Sequence, residues 1–254
     1  FLAEVEHPNI VKIFNFVDHG DAGYIVMEYV GGSSLRATLE GRRALAGKPA
    51  PLPLAQALAY LIEILPAFGY LHEHGLLYCD FKPDNVIQTG QRLTLIDLGA
   101  VVHAGEEVES IYGTVGYQAP EIAELGPSVG SDLYTVGRTL AVLSFDFRGY
   151  QTRYATSLPD RESVDCLAGC ESYYRLLARA TAANPADRFA SADEMAEQML
   201  GVLREVLAAD GDPRPAPSPR FGADRGCDAG AAAPDWRDLP EPLVNPGDPA
   251  AAFL

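Results

Sequence analysis

Two hydrophobic rhythms succeed one another along the chain. Residues 10–16 and 24–29 are short β-rich runs separated by the turn-forming "DHGDAG", so the front of the chain predicts a hairpin. Gly31 and Gly32 close the second run, and Ser33 or Ser34 can cap a short helix reaching about Leu39. After the loop "GKPAPLP", apolar residues recur at helical spacing over 54–74, with Pro66 expected to kink this helix and Gly75 to end it. A second small hairpin is expected from 86–88 and 93–96 around "TGQR". Beyond Ala119 the period is helical, with helices predicted over 131–145, 172–183 and 192–208. From Asp210 onward Pro, Gly, Ala and Asp dominate without a period, which reads as a linker or tail. A few strands followed by a run of helices gives the α+β class: a small sheet in front and a helical body behind.

Composition narrows the function by exclusion. The 254 residues, 48% of them hydrophobic, suffice for a sizeable core. A net charge of −16 argues against nucleic acid and anionic membranes as partners, since either requires a basic face. No apolar run reaches the about 18 residues of a membrane span, and no leader pattern is present. Four cysteines (Cys79, Cys166, Cys170 and Cys227) imply no disulfide framework and fit a reducing, cytoplasmic setting. Cys166 and Cys170 lack further soft ligands nearby, so no structural metal is expected there. The five histidines are scattered and read as structural; His72, in "YLHEHG", is expected to pack at a helix end.

The chemistry is concentrated in "YCDFKPDNV", residues 78–86. Phosphoryl transfer needs a carboxylate to orient the acceptor hydroxyl and take its proton. It also needs a cation near the migrating group and oxygen ligands for Mg²⁺. Asp80, Lys82 and Asn85 supply one of each, although D-x-K-P is also a good turn sequence. Four further stretches follow in order: "LTLIDLGA" with Asp97, "GTVGYQAPE" at 113–121, "SDLYTVGRTL" at 131–140 and "NPADRF" at 184–189. With these five signatures, residues 1–207 resemble the eukaryotic-like Ser/Thr protein kinases. The resemblance implies a protein-kinase-like fold with a mostly helical C-lobe and an incomplete N-lobe sheet.

It also implies roles. Asp80 is then the catalytic base, Lys82 the phosphate-stabilising cation, and Thr114 their partner in a shared network. Asn85 and Asp97 hold Mg²⁺ or Mn²⁺. "YIVMEYVGG" resembles the hinge, with Met27 as gatekeeper, the backbone of Glu28 and Val30 facing the adenine of ATP, and Ile87 beneath it. Glu121 and Arg188 form a buried ion pair, and Asp132 braces the catalytic loop from below. Residues 1–30 are then a partial N-lobe and hinge, 31–209 the C-lobe, and 210–254 a linker of the kind that precedes a tetratricopeptide-repeat domain.

The combination of "YCDFKPDNV", "LIDLGAV", "YGTVGYQAPEI", "DLYTVGRTLA" and "GVLREVLAAD" is similar to the actinobacterial protein kinase G group. That implies a protein substrate, with a forkhead-associated-domain regulator of metabolism as the candidate. Two motifs depart from the wider family. H-R-D reads Tyr78-Cys79-Asp80, leaving no arginine for a phosphate on the activation segment, so phosphorylation of Ser110, Tyr112 or Thr114 is not expected to be the on-switch. D-F-G reads Asp97-Leu98-Gly99, where leucine is expected to keep an apolar contact. Cys79, beside the base, is a candidate redox-sensitive thiol, weighed against a plain packing role. Lys12, Lys48 and Lys82 are the lysines of this chain, and none precedes the first β-run. A glycine-rich phosphate loop, a strand lysine and a helix glutamate are therefore missing, and the chain reads as cut from something longer. By itself it is expected to bind ATP weakly and transfer phosphate poorly. The alternatives are a pseudokinase scaffold, which has no need of a base and two metal ligands, and a small-molecule phosphotransferase. The latter lacks the Ala119-Pro120-Glu121 segment and an equivalent of Asp132.

Overall fold

The computed structural model describes residues 2–20, 22–106, 113–211, 221–222 and 241–243. Ser110, Tyr112, Trp236 and Cys227 lie outside the described residues. The chain divides into two compact units, Phe1–Asp210 and Gly211–Leu254. In the second, Phe221 and Pro242 form an antiparallel bridge, and the Gly222 N–H donates to the Glu241 carbonyl at 2.7 Å.

The first unit opens with the expected hairpin, β1 (Ile13–His19) against β2 (Ala22–Met27). β1 starts later than the apolar run because residues 9–11 have another partner. Ile10 bridges Leu95 in parallel, the Val11 N–H donates to the Leu95 carbonyl, and the Leu95 N–H donates to the Asn9 carbonyl, each at 2.8 Å. The hairpin leaves Phe14 and Phe16 exposed, at 58% and 59%.

β3 (Ser33–Ser34), β5 (Val86–Thr89) and β6 (Arg92–Leu95) form an antiparallel sheet in the order β3-β5-β6. Gly32 enters it at φ 136°, where an added Cβ would lie 2.2 Å from the Gln88 carbonyl oxygen, so only glycine fits. Ser34 caps α1 (Leu35–Ala46), accepting from the Ala37 N–H at 3.1 Å. This helix runs past Leu39 and stops at Gly47, whose left-handed φ of 64° supplies the stop.

α2 (Leu54–Glu73) continues through Pro66 and ends at His74. It is long and apolar enough to cross a membrane by composition, but its Leu58, Leu61, Ile64, Leu65, Phe68 and Leu71 are spent on the core. α2 packs on α4 (Val129–Ser144) and α7 (Ala192–Ala209), and α4 packs on α6 (Glu171–Ala180). α4 begins with a capping box between Ser128 and Ser131 and is buried from Ser131 to Ser144. The short helices α3 (Ile122–Leu125) and α5 (Asp165–Gly169) complete the body.

Two strands of two residues escape any periodicity. β4 (Leu76–Leu77) pairs with β7 (Val102–His103), Leu76 opposite His103 and Leu77 opposite Val102. Together they join the two ends of the 78–101 segment, which carries most of the candidate chemistry.

Candidate active site

Between β4 and β5 the chain forms a loop whose backbone is held from below. Asp132, fully buried on α4, accepts the Tyr78 N–H on Oδ2 and the Cys79 N–H on Oδ1, each at 2.8 Å. His72 Nε2 lies 2.9 Å from the same Oδ2, so the histidine at the end of α2 contacts the brace rather than merely packing. Cys79 adopts φ 68°, a conformation uncommon for a residue with a side chain. The rings of Phe68, Tyr78 and Phe81 meet edge-on beneath the loop, with Phe68 and Phe81 centroids 5.1 Å apart. Burial, with Asp97 and Asp80 nearby, pushes the Tyr78 phenol well above its usual pKa and keeps it neutral.

Above this support sits a triangle of polar groups. The Lys82 ammonium pairs with Asp80 Oδ2 and donates to Thr114 Oγ1 at 2.8 Å. The Thr114 hydroxyl donates to Asp80 Oδ1 at 2.8 Å. Asn85, buried, donates its amide nitrogen to the Asp80 carbonyl at 2.9 Å. That acceptor fixes the amide orientation and leaves the Asn85 side-chain oxygen without a hydrogen bond among the described residues.

Next to the triangle lies a cavity of about 520 Å³, lined by Val11, Met27, Glu28, Val30, Ile87 and Asp97 among others, with Asn85 at its border. Every residue expected at the hinge and nucleotide positions is therefore brought to one space. The Glu28 N–H is spent on the Lys12 carbonyl at 2.8 Å. Its own carbonyl and the Val30 N–H have no partner among the described residues. Lys12 is turned to Glu6 at 2.7 Å, outside the lining.

A divalent cation here would have Asp97 and the Asn85 side-chain oxygen as its protein ligands. Among the described residues no group of three or more His, Cys, Asp or Glu could hold a metal unaided. The donor set fits Mg²⁺, which takes one or two side-chain oxygens and completes its shell from phosphates and water.

The other expected contacts also form. Glu121 and Arg188 make a bidentate pair, at 2.6 and 2.7 Å, with side chains 9% and 0% exposed. Leu98 is buried in the core, as an apolar substitute should be. Cys79 is buried, and burial raises its thiol to about 12 with Asp132 and Asp80 adding to the effect. The packing role of Cys79 therefore prevails over redox sensitivity, which needs an accessible thiolate.

The match to known proteins decides the family. Residues 1–219 fit the model of the protein kinase domain. The chain belongs to the protein kinase domain family. Over its whole length this kinase domain is 48% identical to serine/threonine-protein kinase PknG of Mycolicibacterium smegmatis and 48% identical to that of Mycobacterium leprae. It spans about a third of the length of these curated relatives, 35% and 36%. Among solved structures it is similar to a mutant of the PknI kinase domain of Mycobacterium tuberculosis. The TM-score is 0.62 and the identity 27%, over 79% of this chain and 74% of that one.

Three features of this kinase domain escaped sequence reasoning. One is the contact of His72 with Asp132. In the second, Arg36 on α1 donates to the Tyr117 and Tyr150 hydroxyls at 3.2 and 3.3 Å and pairs with Asp84 at 3.4 Å. The third is Arg138, fully buried within α4. This last could have been noticed, because an arginine inside the apolar run "LYTVGRTLAVL" breaks its pattern.

Proposed function

We propose that this kinase domain transfers the γ-phosphoryl group of ATP to Ser or Thr hydroxyls of protein acceptors. The observation that carries the reading is the Asp80–Lys82–Thr114 triangle beside the cavity lined by Asn85 and Asp97. Both oxygens of Asp80 retain lone pairs beyond those used by Lys82 and Thr114, so the carboxylate can accept an incoming hydroxyl and its proton. Lys82 offsets charge on the phosphoryl group as it moves. Thr114 and Lys82 together keep the carboxylate in one rotamer. The Glu28 carbonyl and the Val30 N–H, two residues apart, offer an acceptor and a donor to an adenine edge, with Met27 and Ile87 as apolar walls. Asn85 and Asp97 would hold Mg²⁺ or Mn²⁺, which neutralises the triphosphate when bound.

The same reading assigns residues 1–30 to part of the N-lobe and hinge, 31–209 to the C-lobe and 210–254 to a linker or tail. A cytoplasmic setting and a forkhead-associated-domain protein as substrate are its furthest extension. A pseudokinase scaffold is disfavoured because nothing in scaffolding requires a base, a cation and two oxygen ligands to converge.

The test is transfer of labelled γ-phosphate from ATP to a protein acceptor by the full-length protein. Asp80→Asn is expected to lower the rate by roughly 10²–10⁴-fold, with nucleotide affinity retained. A wild-type protein that binds ATP and labels neither itself nor any acceptor would overturn the reading in favour of the scaffold.

A further inference from the structure

Arg138 lies in the middle of α4 with its side chain fully buried, and among the described residues no carboxylate pairs with it. Buried charges are normally matched by an opposite charge. Here four backbone carbonyls and an aromatic face take that place. Nε donates to Gly116 at 2.7 Å and Nη1 to Ser157 at 2.7 Å, while Nη2 donates to Tyr154 at 2.6 Å and Tyr150 at 3.1 Å. The guanidinium carbon stands 4.7 Å from the Phe147 ring centroid. Burial lowers the arginine pKa, but a guanidinium stays charged at physiological pH.

The four carbonyls belong to two separate segments, and one of them leads to the triangle. Thr114, two residues before Gly116, accepts the Tyr117 N–H at 3.0 Å and the Gln118 N–H at 3.2 Å on its carbonyl, so 114–118 is one tight turn. Gly116 sits at φ 90°, and a Cβ there would come within 2.7 Å of the Tyr150 carbonyl oxygen. The turn thus lies directly against residue 150 on that side. Tyr117 continues the contact, its ring 5.4 Å from that of Tyr150 and its hydroxyl 3.2 Å from Arg36.

We propose that Arg138 is a positioning residue for the acceptor side of the site. It holds the 114–118 turn by the Gly116 carbonyl and so keeps the Thr114 hydroxyl on Asp80. The turn is held by a cation from the core. Only arginine suits the task, since five N–H groups in one plane reach carbonyls from two segments at once. The inference rests on the kinase reading above.

The experiment uses the full-length protein and the variants Arg138→Met and Arg138→Lys, read by acceptor kinetics, nucleotide affinity and thermal melting. Arg138→Met is expected to lower kcat/KM for the protein acceptor by about 100-fold, through loss of charge-assisted hydrogen bonds, while nucleotide affinity stays within about threefold. Arg138→Lys should recover part of the loss. Thr114→Val should add little in the Arg138→Met background, because both changes disable the same hydroxyl. Acceptor kinetics within about threefold of wild type would overturn the proposal, as would a parallel fall in acceptor use and nucleotide affinity. Should Arg138→Met fail to fold, Arg138→Lys decides by the same split: a selective acceptor defect supports the proposal, and no defect or a parallel one overturns it. A wild-type protein without any transfer overturns the kinase reading itself, which these variants otherwise leave intact.

Discussion

Thr114 donates its hydroxyl to Oδ1 of Asp80 across 2.8 Å, joining positions 34 residues apart. The Thr114 oxygen in turn accepts from the Lys82 ammonium, so the hydroxyl fixes both charged groups. Thr114→Val keeps the shape and removes the hydrogen bonds. Hydrogen bonds to charged groups contribute about 1.5–3 kcal/mol, so phosphoryl transfer should fall by roughly 10- to 100-fold. Thr114→Ser should retain most of the rate. Steady-state kinetics, with melting temperature as the control for folding, check both outcomes. A Thr114→Val enzyme at the wild-type rate would remove the hydroxyl from the mechanism.

The cavity beside this triangle has the wrong charge for a bare triphosphate. Its lining includes Glu28 and Asp97 and no cationic side chain among the described residues, while Lys12 is engaged by Glu6. Nucleotide binding should therefore depend on a divalent cation. Chelation is expected to weaken a non-hydrolysable ATP analogue by at least about tenfold while leaving adenosine unaffected, since only the phosphates meet the repulsion. Asp97→Asn should reproduce that selective loss with Mg²⁺ present. Calorimetric titration reads both, and equal affinity with and without the cation would contradict the assignment of Asn85 and Asp97.

The parts of the fold that sequence reveals are those with a local cause. The capping serine of α1, the glycine stop at 75 and the two hairpins each follow from residues within a few positions of one another. What it misses depends on distant partners. The start of β1 is set by Leu95, which draws residues 9–11 away from the hairpin. The two-residue strands β4 and β7 are too short for any period to register, and each pairs with a partner far along the chain. The site follows the same division. Asp80, Lys82, Asn85 and Asp97 are legible because their chemistry and order are distinctive. The role of His72 is not, since its partner Asp132 lies 60 residues away and nothing in "YLHEHG" points to it.

Glu121 and Arg188 illustrate how far packing depends on one charged pair. Arg188 also donates to the carbonyls of Ala182, Gly130 and Ala183, and its guanidinium lies 4.7 Å from the Tyr134 ring centroid. Glu121→Gln leaves the arginine buried beside a neutral amide, a change that costs about 3–5 kcal/mol when the burial is complete. Urea unfolding should show a loss of that order with an unchanged slope. Arg188→Leu is expected to cost at least as much, because three carbonyls lose their donor. A loss below about 1 kcal/mol in Glu121→Gln would mean the pair is no stronger than a surface bridge.

Cys79 gives the site a pH-dependent signature of its own. Burial, assisted by Asp132 and Asp80, raises its thiol from an ordinary 9.0 to about 12. The folded chain therefore keeps a proton that the unfolded chain releases. The stabilisation from this group is complete below about pH 9 and disappears as pH rises from there towards 12. Wild type should accordingly lose stability relative to Cys79→Ala over that window, with no relative change between pH 6 and pH 8. The same protonated, buried thiol should resist iodoacetamide at pH 8 in the folded protein and react within minutes in urea, as read by mass spectrometry of the peptide that contains it. Rapid labelling of folded protein at pH 8 would show that the loop opens readily, and that the two backbone bonds from Tyr78 and Cys79 to Asp132 do not hold it shut.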